Sequence, residues 1–226
     1  GMAYKWLNLS SSKTPQWKTH EPLATWLKKP LLLIGGWWDP HLKGILDIFE
    51  KSKKAGGNPK LLIGPATHLQ WWEGAQRTQL DFFDSHLKEK NKEIHFPQIN
   101  LWNLTTKSWE LSVQNKTPTW NLRSEGLASI SHLEGCLVPN SDLEADSEVN
   151  LVHDPWRPIP AIGGHLSDTA GEANRFKLDI RPDVAVFTSD PILKDLRLEG
   201  IPTLFLETKC DRESFDLFVA LSIIPS

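Results

Sequence analysis

Asp39 and His68 carry the strongest chemical signal in this sequence. A carboxylate beside an imidazole orients the ring and stabilises its protonated form, which is what a base needs when it takes a proton from a hydroxyl. Each residue also has a purely structural reading. Asp39 ahead of Pro40 suits the N-cap of a helix, and His68 suits an ordinary loop histidine. The pairs Trp37-Trp38 and Trp71-Trp72 flank the two residues and are candidate walls of a substrate pocket. Most of the 11 tryptophans read instead as packing residues. The 8 histidines show none of the usual ligand spacings with Asp, Glu or Cys, so neither a metal nor a cofactor is expected.

Two strands and their helices must position this pair. Leu31-Leu32-Leu33-Ile34, closed by Gly35-Gly36, is a continuous apolar run of the kind covered on both faces of a sheet, and Leu61-Leu62-Ile63-Gly64 is a second. Between them Leu42, Ile45, Leu46 and Phe49 recur at helical spacing, with Pro40 placed for the first helical position. Lys51, Lys53 and Lys54 crowd the last turn and Gly56-Gly57 stops it. A second helix is expected from about Glu73 to Lys90, with Leu80, Phe83 and Leu87 on one face. Strand, helix, strand in this order implies a parallel pair with a right-handed crossover. Asp39 and His68 then emerge at the same carboxyl edge, where open α/β sheets hold their ligands.

Beyond about His95 the pattern changes. Short strand-like pieces at Ile99 to Trp102, Ser108 to Val113, Val184 to Thr188 and Thr203 to Glu207 alternate with turn residues, and ten of the 16 prolines lie there. Such spacing predicts a β-sandwich or jelly roll. Asp154-Pro155-Trp156-Arg157-Pro158-Ile159-Pro160 reads as a rigid loop. The expected architecture is therefore α/β plus all-β, with a βαβα unit in residues 1–92 and a β-sandwich in 93–226.

Composition excludes several classes. A length of 226 residues with 39% hydrophobic and 23% charged residues is an ordinary globular balance. A net charge of −3 gives no support for a nucleic-acid or anionic-membrane partner, and no run approaches a membrane span. With only Cys136 and Cys210 a reducing, cytoplasmic setting is expected.

The segment from Pro30 to Pro40 resembles the stretch bearing the catalytic Asp in the CocE/NonD and X-Pro dipeptidyl-peptidase (S15) hydrolases. Leu62 to His68 is similar to that family's histidine segment, and Phe82 to Lys88 to the helix after it. His153 to Pro160 with Gly163-Gly164, Arg181 to Val184 with Phe187 to Pro191, and Leu198 to Pro202 resemble parts of its C-terminal jelly-roll domain. The resemblance implies a partial α/β-hydrolase unit followed by a jelly roll, cleaving esters, amides or X-Pro peptides, with Asp39 as acid and His68 as base. Ala66 departs from the family, which often has Trp before the histidine, and is expected to alter the pocket wall.

The nucleophile is missing. No glycine in the chain has a serine two residues later, so the Gly-x-Ser-x-Gly elbow and its oxyanion donors are absent from this sequence. Ser10, Ser11 and Ser12 are poor substitutes in a polar stretch. By the resemblance the chain begins partway through the hydrolase domain, and its first strand has a free edge to be covered by residues 1–30, by a second copy or by a separate N-terminal hydrolase polypeptide. Two functions compete: part of a serine hydrolase, inactive alone, or a non-catalytic remnant serving as a binding module.

Overall fold

The apolar runs pair as their patterns require. The computed structural model describes residues 2–9, 13, 17, 20–88, 95–113, 118–139 and 148–224. Ser10, Ser11 and Ser12 lie outside the described residues. A short helix α1 (Met2–Leu7) precedes β1 (Leu32–Trp38), α2 (Leu42–Lys54), β2 (Lys60–Thr67) and α3 (Ala75–Leu87). Then come β3 (Ile99–Asn103), β4 (Ser108–Leu111), β5 (Trp120–Arg123), β6 (Cys136–Pro139), α4 (Phe176–Asp179) and β7 (Thr188–Ser189).

Two sheets result. The first runs β1-β2-β3-β4, with β1, β2 and β3 parallel and β4 antiparallel to β3. The second runs β5-β6-β7. Mixed sheets with few helices make a small α/β part and a β-rich part. Ile99–Asn103 and Ser108–Leu111 do form strands, but they extend the first sheet instead of the β-rich part where their spacing placed them. The parallel β2–β3 register sets Leu61 opposite Ile99 and Ile63 opposite Leu101, so the half-buried β3 residues pack against the buried β2 pair and Phe49 of α2.

Helix α2 lays the expected face on this sheet. Phe49, Leu61 and Ile63 form the buried centre, with Leu33, Leu42, Ile45, Leu46, Ile99 and Leu101 packed around it. Burying a side chain such as Phe49 contributes about 2 kcal/mol. The helix begins at Leu42, so Pro40 and His41 form the turn before it and Pro40 is not the first helical residue. It ends as its glycines predict. Gly56 has φ +84°, its N–H donates to Lys53 O at 3.0 Å, and that of Gly57 donates to Ser52 O at 2.9 Å. These two bonds make a Schellman cap.

Three expectations fail here. Leu80, Phe83 and Leu87 of α3 are all exposed, and the helix buries Ala75 and Phe82 instead. The helical period was right, but no element among the described residues covers that face. Thr203 to Glu207 forms no strand and Phe205 is 89% exposed. A short apolar segment such as this becomes a strand only beside an available edge. Of Val184 to Thr188, only Thr188 enters β7.

The outer edge of β1 carries no strand among the described residues. Residues 20–30 run instead past α2: Ser52 Oγ donates to Leu27 O at 2.5 Å and Lys51 pairs with Glu21 at 2.9 Å. At the opposite edge Arg197 donates to Leu111 O at 2.9 Å and pairs with Glu110 at 2.9 Å and Glu199 at 3.0 Å. Glu199 also takes the Val113 N–H at 3.2 Å, so the segment around Leu198 clasps β4.

Candidate functional site

The parallel pairing of β1 and β2 delivers Asp39 and His68 to one place. Pairing runs in step from Leu32 opposite Lys60 to Gly36 opposite Gly64, then shifts so that Trp38 faces Thr67. Two residues of β1 thus span three of β2, a bulge of the kind that re-aims side chains at sheet ends. Continued unshifted, the register would set Asp39 level with Thr67; the shift sets it level with His68. Ala66 sits in this bulge, 1% exposed and packed against Gly36. It is therefore an interior residue, contrary to the expectation that it shapes a pocket wall.

Asp39 is buried beside an exposed imidazole. Its Oδ1 lies 3.5 Å from Nδ1 of His68, whose side chain is 56% exposed. That separation is longer than a normal hydrogen bond, and apo sites of this kind often tighten only around substrate. The same Oδ1 accepts the backbone N–H of His41 at 2.8 Å, and Asp39 O accepts that of Leu42 at 3.1 Å. The carboxylate thus performs the turn-capping role as well as facing the histidine, although the formal N-cap of α2 is His41. His68 stands on a tight turn: the Thr67 N–H donates to Gln70 O at 3.0 Å and the Gln70 N–H donates to Thr67 Oγ1 at 3.1 Å.

His41, which the sequence reading missed, completes the group. Its ring meets that of His68 edge-on, with centroids 4.9 Å apart and planes at 61°. Only the fold brings it there, since nothing in its local sequence distinguishes it from any surface histidine.

Comparison with known families decides the ancestry. Residues 1–70 match the profile described as X-Pro dipeptidyl-peptidase (S15 family), and residues 73–225 match that of the X-Pro dipeptidyl-peptidase C-terminal non-catalytic domain. The chain belongs to the X-Pro dipeptidyl-peptidase S15 family. No curated protein matches it significantly.

The tryptophans of this S15-family chain divide by role. Trp37 donates its indole N–H to Trp102 O at 2.7 Å, which ties β1 to β3. Trp72 crosses Gly64 so closely that a Cβ there would lie 2.3 Å from the indole, and it meets Trp109 edge-on at 5.1 Å. Trp109 in turn meets Trp102 at 5.6 Å and Trp71 meets Trp72 at 5.7 Å. Trp37 and Trp72 thus have packing partners. Trp71 is exposed and Trp38, the last residue of β1, is half-buried beside Asp39.

The β-rich part has its own charged clamps. Arg181 grips Asp183 with two parallel bonds, Nε to Oδ1 at 2.7 Å and Nη2 to Oδ2 at 2.6 Å, and also donates to Arg157 O at 2.6 Å. This one guanidinium joins the loop around Arg157 to the Arg181–Asp183 turn. The hydrogen bond from Arg181 holds the Asp183 carboxyl below its ordinary range. Glu134 is likewise lowered, first by the Ser124 hydroxyl and then by the Glu125 N–H. A cavity of about 480 Å³ lined by Lys28, Lys60, Phe82, His86 and His95 lies at the amino end of β2, away from the Asp39–His68 edge. No helix among the described residues is long and apolar enough to cross a membrane.

Proposed function

We propose that this chain supplies the acid and base of a serine hydrolase site and takes its nucleophile from a polypeptide carrying a Gly-x-Ser-x-Gly elbow. The observation that carries this reading is the approach of Asp39 Oδ1 to His68 Nδ1 at 3.5 Å, at the carboxyl ends of two adjacent parallel strands. With Nδ1 turned to the carboxylate, Nε2 is the ring nitrogen left to take a proton from a serine hydroxyl. Asp39 would hold the ring and stabilise the imidazolium, then His68 would return the proton to the leaving group. The substrates would be esters, amides or X-Pro peptides, with Trp38 and Trp71 the better placed of the four tryptophans to meet them.

On this reading residues 1–92 derive from an α/β-hydrolase unit and 93–226 from a jelly-roll domain, a division of ancestry, since β3 joins the first sheet. The open outer edge of β1 and the exposed Leu80, Phe83 and Leu87 of α3 are surfaces the complementary polypeptide, or a second copy, would cover. The test is hydrolysis of a p-nitrophenyl ester by the chain alone and after mixing with an S15 N-terminal segment bearing the elbow serine. Activity should require both parts and disappear with His68→Ala.

A second reading, a non-catalytic interaction module, draws on the β-rich part. Phe205, Phe218, Leu221 and Ile223 are exposed there, and the matched C-terminal domain is itself described as non-catalytic. Retained binding to the complementary segment without ester hydrolysis would favour it.

A further inference from the structure

Asp39, His41 and His68 form a constellation that proton transfer does not fully use. One ligand atom from each, a carboxylate oxygen and two imidazole nitrogens, lie within 4.8 Å of one another. From this geometry we infer that the three side chains bind a divalent transition metal ion of the zinc class. Two imidazoles and a carboxylate are a donor set that suits Zn²⁺, with a fourth position open to water.

The distances are within reach of coordination. Tetrahedral Zn²⁺ with bonds of about 2.0–2.1 Å sets its ligand atoms about 3.3 Å apart. Asp39 Oδ1 and His68 Nδ1 are already 3.5 Å apart. The remaining closure falls on His41 and His68, both exposed and able to turn about their side-chain torsions without disturbing the core. Asp39 is the fixed member. It is buried, and the His41 N–H donates to its Oδ1 at 2.8 Å, which orients the carboxylate and draws the His41 backbone to the site. The edge-on packing of the two rings brings the second imidazole in from the turn before α2. The shared atoms set a consequence: an ion bound at Nδ1 takes the place of the Nδ1 proton and engages the carboxylate oxygen by which Asp39 orients the ring in the acid–base role. Metal and hydroxyl activation therefore exclude each other. The site itself stands on the three side chains and does not depend on the hydrolase reading.

The test is titration of the full chain with ZnCl₂ by calorimetry, and with CoCl₂ read by its visible d–d absorption. Cys136→Ser and Cys210→Ser form the background, because both thiols are exposed and would bind zinc themselves. One equivalent of Zn²⁺ is expected, undiminished by excess Mg²⁺, with a cobalt spectrum of low-coordinate type. His41→Ala and His68→Ala should each weaken binding by about tenfold or more, while His20→Ala leaves it unchanged. Asp39→Asn should weaken it as well, and if that variant does not fold the two exposed histidine variants decide. Absence of a one-to-one isotherm, or equal affinity in the parent and His41→Ala, overturns the inference.

Discussion

Gly36 and Ala66 stand so close that a Cβ on Gly36 would lie 2.3 Å from the Ala66 carbonyl oxygen. This contact sits in the bulge that sets Asp39 level with His68, so strand packing and site geometry depend on one another. Gly36→Ala is expected to cost about 2 kcal/mol or more, because backbone cannot give way as a side chain can. Urea unfolding would measure it. In a complemented enzyme the same substitution should lower kcat while KM changes little.

The turn under His68 is held by a side chain. Thr67→Val keeps the shape and removes the hydroxyl that accepts the Gln70 N–H. A loss of about 1 kcal/mol is expected. Hydrogen exchange at the Gln70 amide should accelerate with it, whereas a merely local packing defect would leave that amide protected.

Trp72 is expected to behave as a structural residue. It fills the space over Gly64 and packs on Trp109, so Trp72→Ala should destabilise the fold by about 3 kcal/mol, near the lower end of the range for buried aromatics. Trp71→Ala should leave the denaturation midpoint nearly unchanged, since its side chain is exposed. Equal midpoints for the two variants would contradict this division.

Acid should loosen the clamp between Arg181 and Asp183. The folded carboxyl is lowered from its ordinary value of 3.8 by the Arg181 hydrogen bond. Its stabilising contribution is thus fully present above that value and is lost as the pH falls through the lowered one. The thermal-midpoint difference between the parent chain and Arg181→Met should therefore shrink below about pH 3.8. A difference that stays constant down to full protonation would contradict the assignment.

Much of the first sheet was legible from residue type alone. Leu31 to Ile34 and Leu61 to Gly64 are apolar runs with few alternatives, and Gly56-Gly57 marks the end of α2 by backbone chemistry. Asp39 and His68 were legible because each follows such a run. His41 was not, since it joins the site only through the turn that Asp39 caps. The β3–β4 hairpin was visible as strands, but which sheet receives a strand depends on an edge distant in sequence. Leu80, Phe83 and Leu87 show the limit of periodicity: it marks an apolar face without naming what covers it. The tryptophans show another limit, as the Trp37 N–H finds Trp102 O across the sheet, a partner no spacing rule identifies.

Covalent labelling tests most directly whether acid and base lie on one polypeptide and the nucleophile on another. The chain alone would be treated with a serine-reactive fluorophosphonate, then with the elbow-bearing S15 segment present, and the adducts located by mass spectrometry. No adduct is expected on any serine of this chain, with labelling of the added segment that depends on His68 and Asp39. A stoichiometric adduct on a serine of this chain alone, or labelling indifferent to His68→Ala, would contradict the account.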